Sequence, residues 1–129
     1  MENGIIKLTP ELLALMGTAG VNALAPFSRE IYLLDIVVAG TSFCDTIAEL
    51  EPSLLPDTVL KMIRQPQTQH DELAIGVYFN AIRVGWVPME HNVVISRLMD
   101  AGKAFFCRVE YTNRKANWLK IKAKIFMVE

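Results

Sequence analysis

The stretch "NWLKIKAKIFMV" (117–128) constrains the fold of this chain more than any other segment. Leu119, Ile121, Ala123 and Ile125 alternate with Lys120, Lys122 and Lys124. A period of two places the first set on one face of an extended strand and the second on the other. The chain is therefore expected to contain a sheet with one face packed and one face solvated.

The rest of the sequence supplies partners for that strand. "IYLLDIVVAG" (31–40), "TVLKMIRQP" (58–66) and "AFFCRVEY" (104–111) are rich in β-branched and aromatic residues and read as strands. "LAIGVYF" (73–79) and "IRVGWVP" (82–88) form a hairpin about Asn80 and Ala81, Asn80 being able to take positive φ. Gly76 and Gly85 inside these strands point to bulges or close backbone approach. Turns are expected at "PSLLPD" (52–57) and "TNRKA" (112–116), and a polar loop at "QTQHDE" (67–72). In "MEHNVVISRLMDAG" (89–102), Val94, Ile95, Leu98 and Met99 recur on one helical face and Gly102 ends the helix. The expected architecture is mainly β, an OB-like β-barrel of five or six strands with one inserted helix. A short helix at 8–17, capped by Thr9 with Pro10 at its first position, belongs to an N-terminal extension over 1–29. The main domain runs from 30 to 129.

At 129 residues, 52% of them hydrophobic, the chain has material for one core. No apolar run approaches the ~20 residues that span a bilayer, so no membrane partner is expected. The two cysteines, Cys44 and Cys107, read as free thiols of a cytoplasmic protein. The net charge of −1 is unevenly distributed: from Lys103 onward seven basic residues face two acidic ones, while the first 102 residues carry a deficit of six. Such asymmetry is the pattern to look for when the partner is a polyanion.

The motifs of phosphate loops, nucleophile elbows and zinc sites are missing. His70 and His91 are the only histidines, too few for an evident metal site, and no cofactor is expected. His70 beside Asp71 in "QHDELAIGV" suggests a dyad, but neighbours on an extended segment point to opposite faces. Cys44 with His70 as a hydrolytic pair is set against the plainer reading of a thiol and an ordinary histidine, and the chain is expected to be non-enzymatic.

Four pieces occur in an ordered set: "VVAGTSFCD" (37–45), "LKMIRQPQTQHDELAIGV" (60–77), "VGWVPMEHN" (84–92) and "ISRLMDAGK" (95–103). In order and spacing this set resembles the HIRAN domain family, over about residues 31 to 128. The resemblance implies an OB-like barrel without catalytic activity. In DNA-remodelling enzymes this module grips single-stranded DNA at a free 3′ end, with aromatics after the first strand and an acid near the terminal sugar. Carried over by motif position, the pocket loop is Thr41, Ser42, Phe43 and Cys44 and the acid is Asp71. His70 stands at the pocket rim, Trp86 fills the Gly-x-Val-Pro slot, and Tyr111 sits in a loop after the helix and following strand. The chain departs from the pattern in four places. Phe43-Cys44 replaces an aromatic pair and Ser42 a basic residue, Gln65 follows Arg64 where Glu is usual, and Leu73 replaces Asn. The implied partner is DNA, single-stranded or at 3′ ends, beside a separate helicase or nuclease. The rival expectation is a protein-interaction or self-associating module that keeps the fold without the DNA pocket.

Two roles fit the lysine stripe. Alternate strand residues lie ~6.5–7 Å apart, close to the phosphate spacing of an extended single strand. Lys120, Lys122 and Lys124, with Arg114 and Lys115 in the preceding turn, would then follow a nucleic-acid backbone. Alternatively the lysines protect an edge strand from pairing with another chain.

Overall fold

The computed structural model describes residues 29–68 and 71–129. The helix expected at 8–17 and His70 lie outside the described residues.

The final strand behaves as its period requires. In β6 (Trp118–Val128), Leu119, Ile121, Ala123 and Ile125 are buried, and the three lysines are held half out of the core. β6 pairs antiparallel with β5 (Ala104–Lys115) through a turn at Ala116 and Asn117, where Ala116 takes φ of 55°. The turn is shorter than the expected 112–116. Thr112 to Lys115 continue the strand, so Arg114, Lys115 and Tyr111 are strand residues and not loop residues. On its other side β6 pairs with β1 (Glu30–Val37), interrupted by a bulge at Leu33. From Lys122 to Val128 β6 is thus flanked on both sides, so Lys122 and Lys124 do not guard an edge, whereas Lys120 lies beyond the β1 pairing.

β2 (Val59–Arg64), β3 (Ile75–Phe79) and β4 (Ile82–Trp86) complete a six-stranded antiparallel sheet in the order β1-β6-β5-β2-β3-β4. The β3–β4 turn falls at Asn80 and Ala81 as read from the sequence, with φ of 52° at Asn80. The sheet curls but does not close into the expected barrel, because no continuous ladder joins β1 to β4. The two edges meet at one bridge beyond the end of β1. Ala39 and Trp86 there exchange both backbone hydrogen bonds at 2.8 Å. Gly85 makes this approach possible. A Cβ on it would stand 2.5 Å from Val38 Cγ1 and closer still to the carbonyl oxygen of Ala39.

Between β1 and β2 the chain is more helical than the single turn expected there. A 3-10 turn (Thr41–Phe43), a short helix α1 (Ile47–Leu50) and a second 3-10 turn (Glu51–Ser53) follow in succession. Ile47 and Leu54 join Leu119 and Ile121 in the core. Glu51 pairs with Arg114 at 2.7 Å. This segment braces the outer half of the β5–β6 hairpin, which runs on past the last residues paired with β1 and β2.

Helix α2 (Met89–Asp100) begins after Pro88 and stops at Gly102, whose N–H bonds the Met99 carbonyl while that of Lys103 bonds Leu98. Of the expected inner face, Ile95 is buried and Leu98 and Met99 pack against the core, but Val94 does not. Asn92, Ile95 and Ser96 point inward, and Val94 is 67% exposed. Among the described residues no helix is long and apolar enough to cross a membrane.

Cys107 is fully buried on β5, and burial pushes its thiol up to about 12. The thiolate is the reactive form. A thiol-specific disulfide reagent at pH 8 is therefore expected to modify Cys44 alone in the native protein, and both cysteines after unfolding. Native modification of Cys107 as fast as that of Cys44 would contradict this core position.

Candidate functional site

The end of the curled sheet where β1 meets β4 opens into a cavity of about 470 Å³. Its walls follow from the bridge just described. Ala39 and Trp86 lie side by side, and Gly40 (φ 72°) turns the chain away so that Phe43 projects beside the Trp86 indole. Phe43 is 85% exposed and Met89, at the start of α2, is 68% exposed. Neither side chain plugs the core. Two large apolar groups held in solvent beside a half-buried indole form the sides of an apolar slot.

The polar groups lie on the segment that enters β3. Asp71 Oδ1 accepts the Leu73 N–H at 2.9 Å, and Oδ2 accepts from Asn92 Nδ2 at 2.6 Å. The first bond fixes the turn into the strand, and the second ties it to the buried face of α2. A carboxylate accepts about four hydrogen bonds, so these two leave acceptor capacity on the cavity side. Thr68 also lines the cavity. Arg64 steadies the loop from beneath. Its Nη1 donates to the Ala74 carbonyl at 2.7 Å, its Nη2 to that of Glu72 at 3.0 Å, and its Nε to Asp100 at 2.8 Å. Chemically the cavity offers a flat aromatic and apolar slot with an anionic acceptor at one end. It suits a ring that carries a hydroxyl or amine donor.

Of the residues expected at the site, the structure brings Phe43, Trp86 and Asp71 together. Trp86 is half-buried and forms a cavity wall. Thr41 is fully buried and its hydroxyl donates to the Leu119 carbonyl at 2.7 Å, which makes its part structural. Ser42 is exposed on the 3-10 turn, and Cys44 lines a small notch on the other side of Phe43, with Sγ 3.8 Å from the Thr46 hydroxyl. Tyr111 lies on the outer face of the sheet, its ring 5.6 Å from Lys120 Nζ and 5.9 Å from Lys122 Nζ. Among the described residues no group of three metal-ligating side chains comes together.

The lysines do not line the cavity. Lys122 borders a separate hollow of about 330 Å³ with Asp35 and His91, and residues 88 to 91 run between that hollow and the cavity. Asp35 binds Lys124 at 3.2 Å and Lys122 at 3.8 Å, and Glu110 lies 3.6 Å from Lys124. The Tyr32 hydroxyl, 2.7 Å away, holds the Asp35 carboxyl below the usual carboxylate range, with Lys124 adding to the effect. Arg114 is paired with Glu51, whereas Lys115 and Lys120 have no acidic partner among the described residues.

Sequence reasoning missed Asn92, Met89 and Thr68. Asn92 had a signal: a polar residue three and four positions before Ile95 and Ser96 shares their face. Met89 and Thr68 carried none, since they reach the cavity from separate elements.

Together the curled antiparallel sheet and the cavity at its mouth define a small OB-like β module. A family model described as the HIRAN domain matches residues 31–128, and the chain belongs to that family. No curated protein matches the chain. Among solved structures, a protein from Lactobacillus plantarum aligns with a TM-score of 0.71 at 19% identity, covering 79% of this chain and 98% of that one. The HIRAN domain of human HLTF aligns with a TM-score of 0.61 at 16% identity, covering 77% of this chain and 78% of its own.

Proposed function

We propose that this cavity binds the last nucleotide of a single-stranded DNA 3′ end, without catalysis. The carrying observation is the placing of exposed Phe43 and half-buried Trp86 around one slot that has the fixed Asp71 carboxylate at its end. The terminal base stacks between the aromatic walls, and Asp71 accepts a hydrogen bond from the free 3′ hydroxyl. The HIRAN resemblance supports the same reading. Lys115 and Lys120, which have no acidic partner among the described residues, add long-range attraction to the strand and are no part of the pocket. Such a module serves DNA repair, replication or a mobile element in the cytoplasm, beside a separate helicase or nuclease.

Fluorescence anisotropy with short labelled strands, carrying a free or a phosphate-blocked 3′ end, tests this. Binding should fall with salt and favour the free end. Phe43→Ala should weaken it about 10-fold to 100-fold, since stacking is worth ~1–3 kcal/mol per base. Because Phe43 is exposed, stability should change by less than about 0.5 kcal/mol. No binding at low salt and tens of micromolar protein would sink the reading.

One observation favours the rival, a self-associating module. Asp35 and Glu110 neutralise two of the three stripe lysines, which leaves the outer face little surplus charge for a polyanion. Absent DNA binding together with a mass that rises with protein concentration would decide for it.

A further inference from the structure

The wall made by Phe43 and Trp86 has two sides. The apolar cavity with Asp71 lies on one, and a notch of about 30 Å³ lies on the other, lined by Arg83, Cys44 and Gly40. Arg83 is unlike the other arginines near the sheet. Arg64, Arg108 and Arg114 each pair with a carboxylate, whereas Arg83 has no acidic partner among the described residues. It is nonetheless held in place. Its guanidinium lies over the Trp86 ring, 4.3 Å from the centroid, and its Nη1 donates to Gln65 Oε1 at 3.2 Å. The same oxygen accepts from the Tyr78 hydroxyl at 3.2 Å, which fixes the acceptor. A neutral amide and an aromatic face orient the side chain and leave its charge uncompensated. Most of its five N–H donors remain free, in the planar fork that matches phosphate oxygens.

We propose that Arg83 binds a phosphodiester of the strand whose terminal base occupies the cavity, gripping the backbone as it leaves over Phe43. This rests on the reading of the cavity as a DNA-end pocket, and it adds a residue from β4 that none of the ordered motifs points to. Phe43 and Trp86 then serve both partners: one side of the wall stacks the base, and the Trp86 ring carries the cation that meets the phosphate. Gln65 acts as a positioning residue through Arg83.

The test is a salt series of anisotropy titrations with a short labelled single strand, its 3′ end free or phosphorylated, on wild type, Arg83→Gln and Arg83→Lys. Arg83 is exposed, so both variants keep the core intact. Removing one phosphate contact should lower the slope of log affinity against log salt by about 0.7 for a single strand. Arg83→Gln should therefore bind several-fold more weakly at low salt with the smaller slope, and keep the wild-type preference for a free end. Arg83→Lys should restore the slope and only part of the affinity, because an ammonium lacks the fork and the stacked plane. An unchanged slope in Arg83→Gln, with the free-end preference intact, overturns the role of Arg83 and leaves the pocket reading standing. A reduced slope without any free-end preference supports the phosphate contact and removes the 3′-end reading. No binding by wild type overturns both.

Discussion

Gly85→Ala is expected to destabilise the protein by about 3 kcal/mol, the upper end of what overpacking usually costs. For a domain of this size that is a fall in Tm of on the order of 12 °C. The new methyl would meet the Ala39 carbonyl oxygen and Val38 Cγ1, 2.5 Å from the latter, at the bridge where the two edges of the sheet join. A backbone carbonyl in a bridge cannot rotate aside, so the strands must part and the two 2.8 Å hydrogen bonds go with them. Gly76→Ala is the matched comparison. Its nearest atom is Tyr78 Cε1 at 2.8 Å, the far end of a ring that is not fully buried, and the cost should stay within about 1 kcal/mol. Urea unfolding of both variants reads the difference. Equal losses would mean that the bridge is not what makes position 85 intolerant. The same substitution should weaken ligand binding in any residual folded protein, because the bridge places Trp86 beside Phe43.

Arg64→Ala should cost about 2–3 kcal/mol and loosen the cavity from below. Hydrogen bonds from a charged donor contribute ~1.5–3 kcal/mol each, and they do not add fully. The loss comes chiefly from the carbonyls of Glu72 and Ala74, which the guanidinium ties to β2. The Asp100 partner is 56% exposed, so that ion pair contributes little by itself. Asp100→Asn should accordingly cost clearly less than Arg64→Ala. Were Asp100→Asn as damaging as Arg64→Ala, the ion pair and not the carbonyl contacts would be holding the loop. The Arg64 hydrogen bond keeps the Asp100 carboxyl below its usual range. What the pair contributes is thus present above the ordinary carboxylate pKa and disappears as acid lowers the pH through the depressed value. Arg64→Ala should also weaken the 3′-end binding proposed for the cavity, since Asp71 begins the segment that Arg64 holds.

Much of the local structure was legible in the residues. The alternation at 119–125 specified a strand with one buried face, Asn80 marked the hairpin turn, and Gly102 marked the end of α2. Covalent geometry sets these features within a few residues, so nearby sequence is enough to read them. On α2 the pattern places Ile95, Leu98 and Met99 correctly and only Val94 wrongly, because Val94 and Ile95 are both apolar and adjacent. Only the Asp71–Asn92 contact shows that the helix is rolled to bury Asn92. The turn expected at 112–116 was placed too early because polar residues also suit the exposed hairpin arm that Thr112 to Lys115 form.

The sequence by itself determined the strands, the inserted helix and, through its ordered motifs, the HIRAN family. Tertiary structure alone decided that the sheet curls to a single bridge without closing, that β6 lies inside the sheet, and that Lys124 meets an acid 89 residues away. It also decided that Phe43, Trp86 and Asp71 share one cavity while Arg83 lies behind its wall. The physical reason is the range of the interactions. Side-chain period and turn conformation are settled among neighbours, but pairing order, burial of one helix face and neutralisation of a charge depend on distant segments meeting in a common register.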